Sequence, residues 1–281
     1  MYGDGHEAEE GSGRWGARVR YGVISDVHGN LAALDAGLAA LDAIGVDAYA
    51  CAGDLVGYGP QPNECVEAVR ELGAVVVAGN HDLIALGALS DDRCLRLARE
   101  SLRWTRDVLA DSARDYLSRL PRHAELAGGV VLAHGSLDDP QEYVLRVEQA
   151  ARELRRLAER YPAADVLVVG HTHRAFASDG VTSRERFSSR ESLRIGPGRR
   201  WLLNPGAVGQ SRELRARARF LVLDLERREA TFHAVRYDVR ATRALLRRER
   251  LSPRSVHVAP WRALARPVVR AARRARVRAR R

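Results

Sequence analysis

Five short apolar runs in this chain end in residues that can bind a metal, and few folds are open to a chain with that pattern. The runs are Val19–Ser25 into Asp26 and His28, Ala48–Gly53 into Asp54, Val75–Gly79 into Asn80, Val130–Ala133 into His134, and Val166–Gly170 into His171 and His173. Short runs rich in β-branched residues read as buried strands, and in open α/β sheets ligands bind in the crevice beyond the carboxyl ends of the strands. Seven nitrogen and oxygen ligands then converge on one edge, a set suited to two metal ions. For the pairs at i and i+2, Asp26/His28 and His171/His173, a locally extended backbone sends both side chains to the same side. Gly53, Gly79 and Gly170 each precede a ligand, allowing close backbone approach and a positive φ at the turn.

Around these runs the pattern alternates: strand 19–25, helix 30–44, strand 47–53, helix 62–72, strand 74–79. This is the order of βαβ units. Asn30 offers an N-cap and Gly45 a stop for the first helix, in which Leu31, Leu34, Leu38 and Leu41 recur at helical spacing. A charged stretch at 91–119, with Leu95, Leu102, Leu109 and Leu117 along it, reads as a helical pair covering the sheet. Gly128-Gly129 marks a hairpin between strands near 123–127 and 130–134, and a helix follows at 147–160. Segments 199–204, 217–225 and 229–237 alternate in the manner of antiparallel strands, while 178–200, heavy in Ser, Arg and Gly, reads as a long exposed loop. Two sheets packed face to face with outer helices account for both halves.

At 281 residues the chain is long enough for one large domain or two small ones. No stretch reaches the roughly 20 apolar residues of a membrane span. Residues 1–16 lack the apolar centre of a secretory signal, so the expected location is the cytoplasm. Cys51, Cys65 and Cys94 are odd in number and form no CxxC pair, which argues against a disulfide framework or a thiolate zinc site. All 46 basic residues are Arg. From Arg240 to Arg281 there are 15 Arg against one acid, Glu249; the remainder holds 31 Arg against 35 acids, so the positive excess belongs to the tail. The expected organisation is a flexible N-terminal segment 1–17, a domain 18–240 and an Arg-rich extension 241–281, interrupted by Pro253, Pro260 and Pro267. Such a tail can engage nucleic acid or an anionic surface with steep salt dependence. Disorder without a dedicated partner is the favoured reading. Trp261, the one aromatic after Tyr237, is too little for a stacking platform.

Asp26-Val27-His28, Gly53-Asp54, Gly79-Asn80-His81-Asp82, His134-Gly135 and Gly170-His171-Thr172-His173 together resemble the five signature blocks of the calcineurin-like metallophosphoesterases, over Val19 to Tyr237. Gly57-Tyr58-Gly59-Pro60 with Pro62-Asn63, Arg103-Trp104-Thr105, Gly135-Ser136 with Glu142-Tyr143, and the stretch Asn204–Gln210 are similar to a bacterial and archaeal phosphodiesterase-like branch. The resemblance implies an α/β fold, a four-layer αββα sandwich of two mixed β-sheets flanked by helices, around a dinuclear site. It implies that Asp26, His28 and His173 hold one metal, that Asn80, His134 and His171 hold the other, and that Asp54 bridges them. Manganese is favoured by the resemblance; iron, zinc and nickel suit the same donors. It assigns catalysis to Asn80 and His81. The resemblance implies that a hydroxide bridging the metals would attack phosphorus in line, without a covalent enzyme intermediate, while His81 would hydrogen-bond the phosphate and protonate or stabilise the departing oxygen.

The activity implied is hydrolysis of a phosphodiester or small phosphorylated metabolite. The alternatives are a phosphomonoesterase, including a protein phosphatase, or, in another class, a non-catalytic binding scaffold or a nucleic-acid binder acting through the tail. All seven ligands and His81 are intact, which argues against the scaffold. Gly57 and Tyr58 stand where the Ser/Thr phosphatase branch carries the Asp that orients its catalytic His and the Arg that grips phosphate, so a phosphoprotein substrate loses weight. Asp82 is a candidate to orient His81, or equally a structural cap. A further departure, at Ser211–Arg217, puts the shape of a loop near the site in question. A lone histidine on an apolar strand is more often a core residue than a ligand; the joint pattern carries the metal site. His6, His123, His233 and His257 fit no pattern and read as surface or edge residues; Arg174, directly after the last His, could meet substrate phosphate, but a solvated surface Arg is the favoured reading.

Overall fold

A computed structural model describes residues 18–196 and 198–258; the expected flexible segment 1–17 and the tail beyond 258 lie outside the described residues. β1 (Arg20–Ile24) leads through α1 (Leu31–Ile44) to β2 (Ala48–Cys51), and α2 (Pro62–Glu71) leads on to β3 (Val75–Val76). The three strands run parallel, as helical crossovers require. α1 starts where Asn30 Oδ1 accepts the Ala33 N–H and stops at Gly45 in the left-handed region, as its sequence predicts. Then come α3 (Asn80–Ala85), α4 (Arg96–Val108), α5 (Asp111–Ser118), and the antiparallel hairpin of β4 (Ala124–Leu126) and β5 (Val130–Leu132). α6 (Val147–Arg160) crosses to β6 (Val166–Val168), parallel to β5. The remainder is β7 (Ala175–Ser178), β8 (Ser183–Arg184), β9 (Arg190–Arg194), β10 (Trp201–Pro205), β11 (Ala218–Asp224), β12 (Glu229–Val235) and α7 (Val239–Arg248).

The strands form two six-stranded mixed sheets, β3-β2-β1-β11-β12-β9 and β4-β5-β6-β10-β7-β8. Between them lies a core of Val23, Ala50, Val77, Leu221 and Phe232 from the first sheet against Leu132, Val168, Ala177 and Leu203 from the second. The outer face of the first sheet is covered by α1 to α5, and that of the second by α6 with Leu154 and Leu157. The four layers are therefore helix, sheet, sheet, helix, and the residues singled out at strand ends all leave one side of the sandwich. No described helix is long and apolar enough to cross a membrane.

Two expectations need correction. The stretch 178–200 is not one exposed loop: it contains β8 and β9, and β9 pairs antiparallel with β12 from Glu229↔Arg194 to His233↔Arg190. Its sequence, Arg-Glu-Ser-Leu-Arg, has the polarity of an edge strand. What anchors the stretch is Phe187, buried and stacked on Phe232 at 3.7 Å between ring centroids. The boundary at 240 falls inside α7, whose Thr242 and Leu246 are buried, with Thr242 Oγ1 donating to Asn30 Oδ1 at 3.1 Å. Beyond it a strap, 249–258, packs on the domain with Ser255 and Val256 buried.

A candidate metal centre at the seam of two sheets

Asp26 follows β1, Asp54 follows β2 and Asn80 follows β3; His134 follows β5, and His171 and His173 follow β6. The fold thus brings all seven expected ligands together, four from one sheet and three from the other, and all are buried. Their ligand atoms fall into two groups that share Asp54, namely Asp26, His28, Asp54 and His173, and Asp54, His134 and His171. Asn80 Oδ1 lies 3.1 Å from His134 Nε2, beside the second group.

The backbone that presents them is not extended, as the i, i+2 argument supposed. Asp26, His28, Asp54, His171 and His173 all have φ between 50° and 65°, in the left-handed region that non-glycine residues seldom occupy. The side chains of each pair converge through tight turns. Long-range backbone bonds hold these turns: Asp26 N–H to Gly53 O and His28 N–H to Asp54 O, each at 2.9 Å, and Gly209 N–H to Asp26 O at 2.9 Å. Of the preceding glycines Gly53 does take a positive φ, of 87°. Gly79 and Gly170 do not, and are needed for space: a Cβ at Gly79 would overlap the Asp54 carboxylate, and one at Gly170 would overlap Ser25 Oγ.

Each carboxylate is half tied and half free. Asp26 Oδ2 accepts from Ser25 Oγ at 2.7 Å and the His171 N–H at 3.1 Å, while Asp54 Oδ1 accepts the His81 N–H at 2.8 Å. Asp26 Oδ1 and Asp54 Oδ2 are left buried without a hydrogen bond, as is His171 Nε2. The histidines are aimed in the same way. Nδ1 of His28, His134 and His173 meets the carbonyl oxygens of Val56, Ala52 and Gln210 at 3.0, 2.6 and 2.7 Å. A carbonyl only accepts, so Nδ1 carries a proton in all three, and a ring that is neutral, or that gives up a second proton to a metal, turns its Nε2 lone pair inward.

Those inward atoms crowd one another. His28 Nε2 lies 3.2 Å from His173 Nε2 and 3.5 Å from Asp54 Oδ2, and His173 Nε2 lies 3.2 Å from Asp26 Oδ1. Burial pushes His28 down to about 3 and His173 and His171 well below the usual histidine range, so these rings are neutral. Burial also opposes the charge of Asp54, but His134, His81 and His28 together hold it ionised. Burial, against the pull of His134 and with the charge of Asp54, lifts Asp26 to about 7. His134 Nε2 sits 3.2 Å from Asp54 Oδ2; burial disfavours its charge, yet Asp54 prevails and raises it to about 9. Lone pairs facing lone pairs around a carboxylate are an arrangement that a cation satisfies, so the residues present fit divalent metal, which would displace the His134 proton.

His81 stands beside this cluster without belonging to it. Its ring lies 4.7 Å from His28 and 4.7 Å from Tyr58, its Nδ1 is buried without a partner, and burial lowers it to about 4. Asp82 does not touch it. Asp82 Oδ2 accepts the N–H groups of Asp54 and Gly79, both at 2.9 Å, and Oδ1 accepts that of Val56 at 3.2 Å, which makes Asp82 the structural clip of the Asp54 loop. Asn204 has a similar task, its Nδ2 donating to Gly170 O at 2.6 Å and Thr172 Oγ1 at 3.1 Å to shape the turn of His171 and His173.

One residue escaped the sequence argument. Arg212 is half-buried, donates from Nη1 to Tyr143 Oη at 3.1 Å and from Nε to Gln210 Oε1 at 3.2 Å, and lies over the Tyr143 ring. Tyr143 in turn packs on His171 at 4.3 Å between centroids. No carboxylate among the described residues pairs with Arg212, and its charge acts on Asp26, His28, His171 and His173. One Arg among 46 gives no signal by composition. Its marks are its place two residues after the Asn204–Gln210 stretch and within the Ser211–Arg217 loop whose shape the sequence left in question. Arg174 is half-buried, and the bonds it shows are of its backbone, its N–H donating to Thr172 Oγ1 and its carbonyl accepting from the same hydroxyl.

The family model for the calcineurin-like phosphoesterase superfamily domain matches residues 19–228. A protein of Methanocaldococcus jannaschii described as uncharacterized is 31% identical over 223 residues, covering 78% of this chain and 88% of its own length. The crystal structure of a metallophosphoesterase from Sphaerobacter thermophilus superposes with a TM-score of 0.71 at 35% identity, over 85% of this chain and 97% of that one. That of a hypothetical protein from Pyrococcus horikoshii gives 0.69 at 20% identity, over 85% and 96%, which speaks to the fold alone.

Proposed function

Because the chain belongs to the calcineurin-like phosphoesterase superfamily, hydrolases of phosphoric esters, we propose that its centre cleaves phosphodiesters using two divalent cations. Asp26, His28 and His173 would hold one cation, Asn80, His134 and His171 the other, and Asp54 both. The observation that carries this reading is the pair of donor groups sharing Asp54, with Nε2 lone pairs aimed inward by backbone carbonyls. When bound, such cations lower the pKa of a water molecule toward neutrality and offset charge that builds on the phosphoryl oxygens.

The chain's own residues do the rest. Arg212, a cation with no acidic partner among the described residues, meets a phosphoryl oxygen and holds the phosphorus in line, and Tyr143 fixes the guanidinium plane. His81, neutral through burial, offers its one N–H to the departing oxygen. Gly57 leaves no side chain between its own backbone and the His81 ring, and Tyr58 supports that ring from the side. One guanidinium matches the single negative charge of a diester; a monoester dianion would gain from a second. Manganese is the first choice of metal, and the cytoplasm the expected location.

The test is a metal-by-substrate screen with elemental analysis, using paired mono- and diesters of one leaving group. Two ions per chain with the diester turned over faster support the proposal. Faster turnover of the monoester moves the chain to the phosphomonoesterases. No turnover with any of manganese, iron, zinc or nickel revives the binding scaffold.

A further inference from the structure

The strap 249–258 lies beyond the residues matched by the family model, yet it bonds to the loop that carries Arg212. Ser211 N–H donates to Val256 O at 3.2 Å, Val258 N–H donates to Ser211 O at 3.0 Å, and His257 Nε2 donates to Glu213 O at 2.7 Å. These bonds grip the loop on both sides of Arg212. The same strap also forms one wall of a cleft of about 370 Å³. Glu100 and Trp104 of α4 line the cleft across from it, and Tyr58 contributes to its lining. Tyr58 is buried and its ring lies 4.7 Å from that of His81 between centroids, so one residue borders both the cleft and the candidate metal centre. A cleft of about 430 Å³ between α1, α2 and α5 shares none.

We propose that the strap-walled cleft is a substituent subsite, taking a planar aromatic group attached to the phosphate held at the centre. This rests on the phosphoesterase reading above. The cleft falls in the size range of sites for small organic ligands, which are lined by aromatic groups with a few polar ones. Trp104 is half-buried and supplies a stacking face. Glu100 and Glu249, each beside an arginine of its own at 2.5 and 3.3 Å, retain acceptor oxygens for hydroxyl or amino groups. A nucleoside and a simple aryl group share this chemistry.

Titration calorimetry of the full-length, metal-loaded protein with inorganic phosphate, phenyl phosphate and adenosine monophosphate distinguishes the cases. One stacked aromatic group should make the organic phosphates bind about 5- to 150-fold tighter than phosphate. Trp104→Ala should pull that ratio down about tenfold, and Trp104→Phe, which keeps a face, should largely preserve it. Tighter binding of adenosine monophosphate than of phenyl phosphate identifies a nucleoside; equal binding identifies the aryl group. Organic phosphates that bind no tighter than inorganic phosphate, or a ratio indifferent to Trp104→Ala, overturn the subsite and leave the phosphoesterase reading standing. Failure of all three ligands to bind overturns that reading, and the subsite with it.

Discussion

Asp82 allows a prediction that separates a structural clip from a group that orients His81. Its carboxylate receives three buried backbone N–H groups, those of Asp54, Gly79 and Val56. Asp82→Ala leaves them without an acceptor, at about 1–3 kcal/mol for each buried donor that water cannot reach. Against this stands relief of a disfavoured charge, since burial, with Asp54 adding to it, lifts Asp82 to about 6. The net expectation is a loss of about 3–5 kcal/mol, a large part of the roughly 5–15 kcal/mol that stabilises a domain. Asp82→Asn keeps one oxygen for the two donors at 2.9 Å, forfeits the 3.2 Å contact and removes the buried charge. A change of about 0–2 kcal/mol should result. Urea unfolding at pH 7 in chelator reads both, and metal content should fall in Asp82→Ala because Asp54 loses its support. An Asp82→Ala protein within about 1 kcal/mol of wild type refutes the clip. An Asp82→Asn protein of normal stability and metal content, but with kcat down about 100-fold, assigns Asp82 to His81 instead.

Asp54→Asn should abolish activity and lower bound metal to one ion or none, because a neutral amide cannot offset two adjacent dications; elemental analysis alongside kinetics checks this. His81→Ala should keep its metal and lower kcat by about 10²–10⁴, less for nitrophenyl leaving groups, and an equal loss across leaving groups would indicate a binding role. Gly57→Ala places a Cβ against the His81 ring at a φ of 84°, so it should share that kinetic signature at unchanged metal content. Cutting the chain after Val258 should leave the fold and small-ester turnover intact while flattening the salt dependence of adsorption to nucleic acid. Cutting after Glu249 removes buried Val256 and the bonds to the Arg212 loop, and should lower both stability and phosphate affinity.

The strand ends were legible because burial forces β-branched runs and a candidate metal ligand stands after each; both signals are local. The backbone at the ligands was not. Nothing in Asp26-Val27-His28 announces a left-handed turn, and its cost of about 1–3 kcal/mol per residue is met by bonds from Gly53, Asp54 and Gly209, remote in sequence. β9 was hidden for a related reason: it alternates weakly and exists because β12 offers an edge and Phe232 a face for Phe187. The end of the domain was masked by charge. Leu246 and Val256 are buried within a segment whose composition is that of a solvated tail.

Four of the candidate ligands hang from one sheet and three from the other, with no covalent link between the two groups nearer than the connecting chain. A cation gripped by both groups therefore acts as a rivet through the two layers. Shearing one sheet over the other would stretch coordinate bonds as well as unpack side chains, so metal-loaded protein should resist mechanical extension more than its stripped form. The load path also runs the other way. Trimming Phe232, deep between the layers, would let the sheets settle closer or twist, and metal affinity would change although no ligand had been touched.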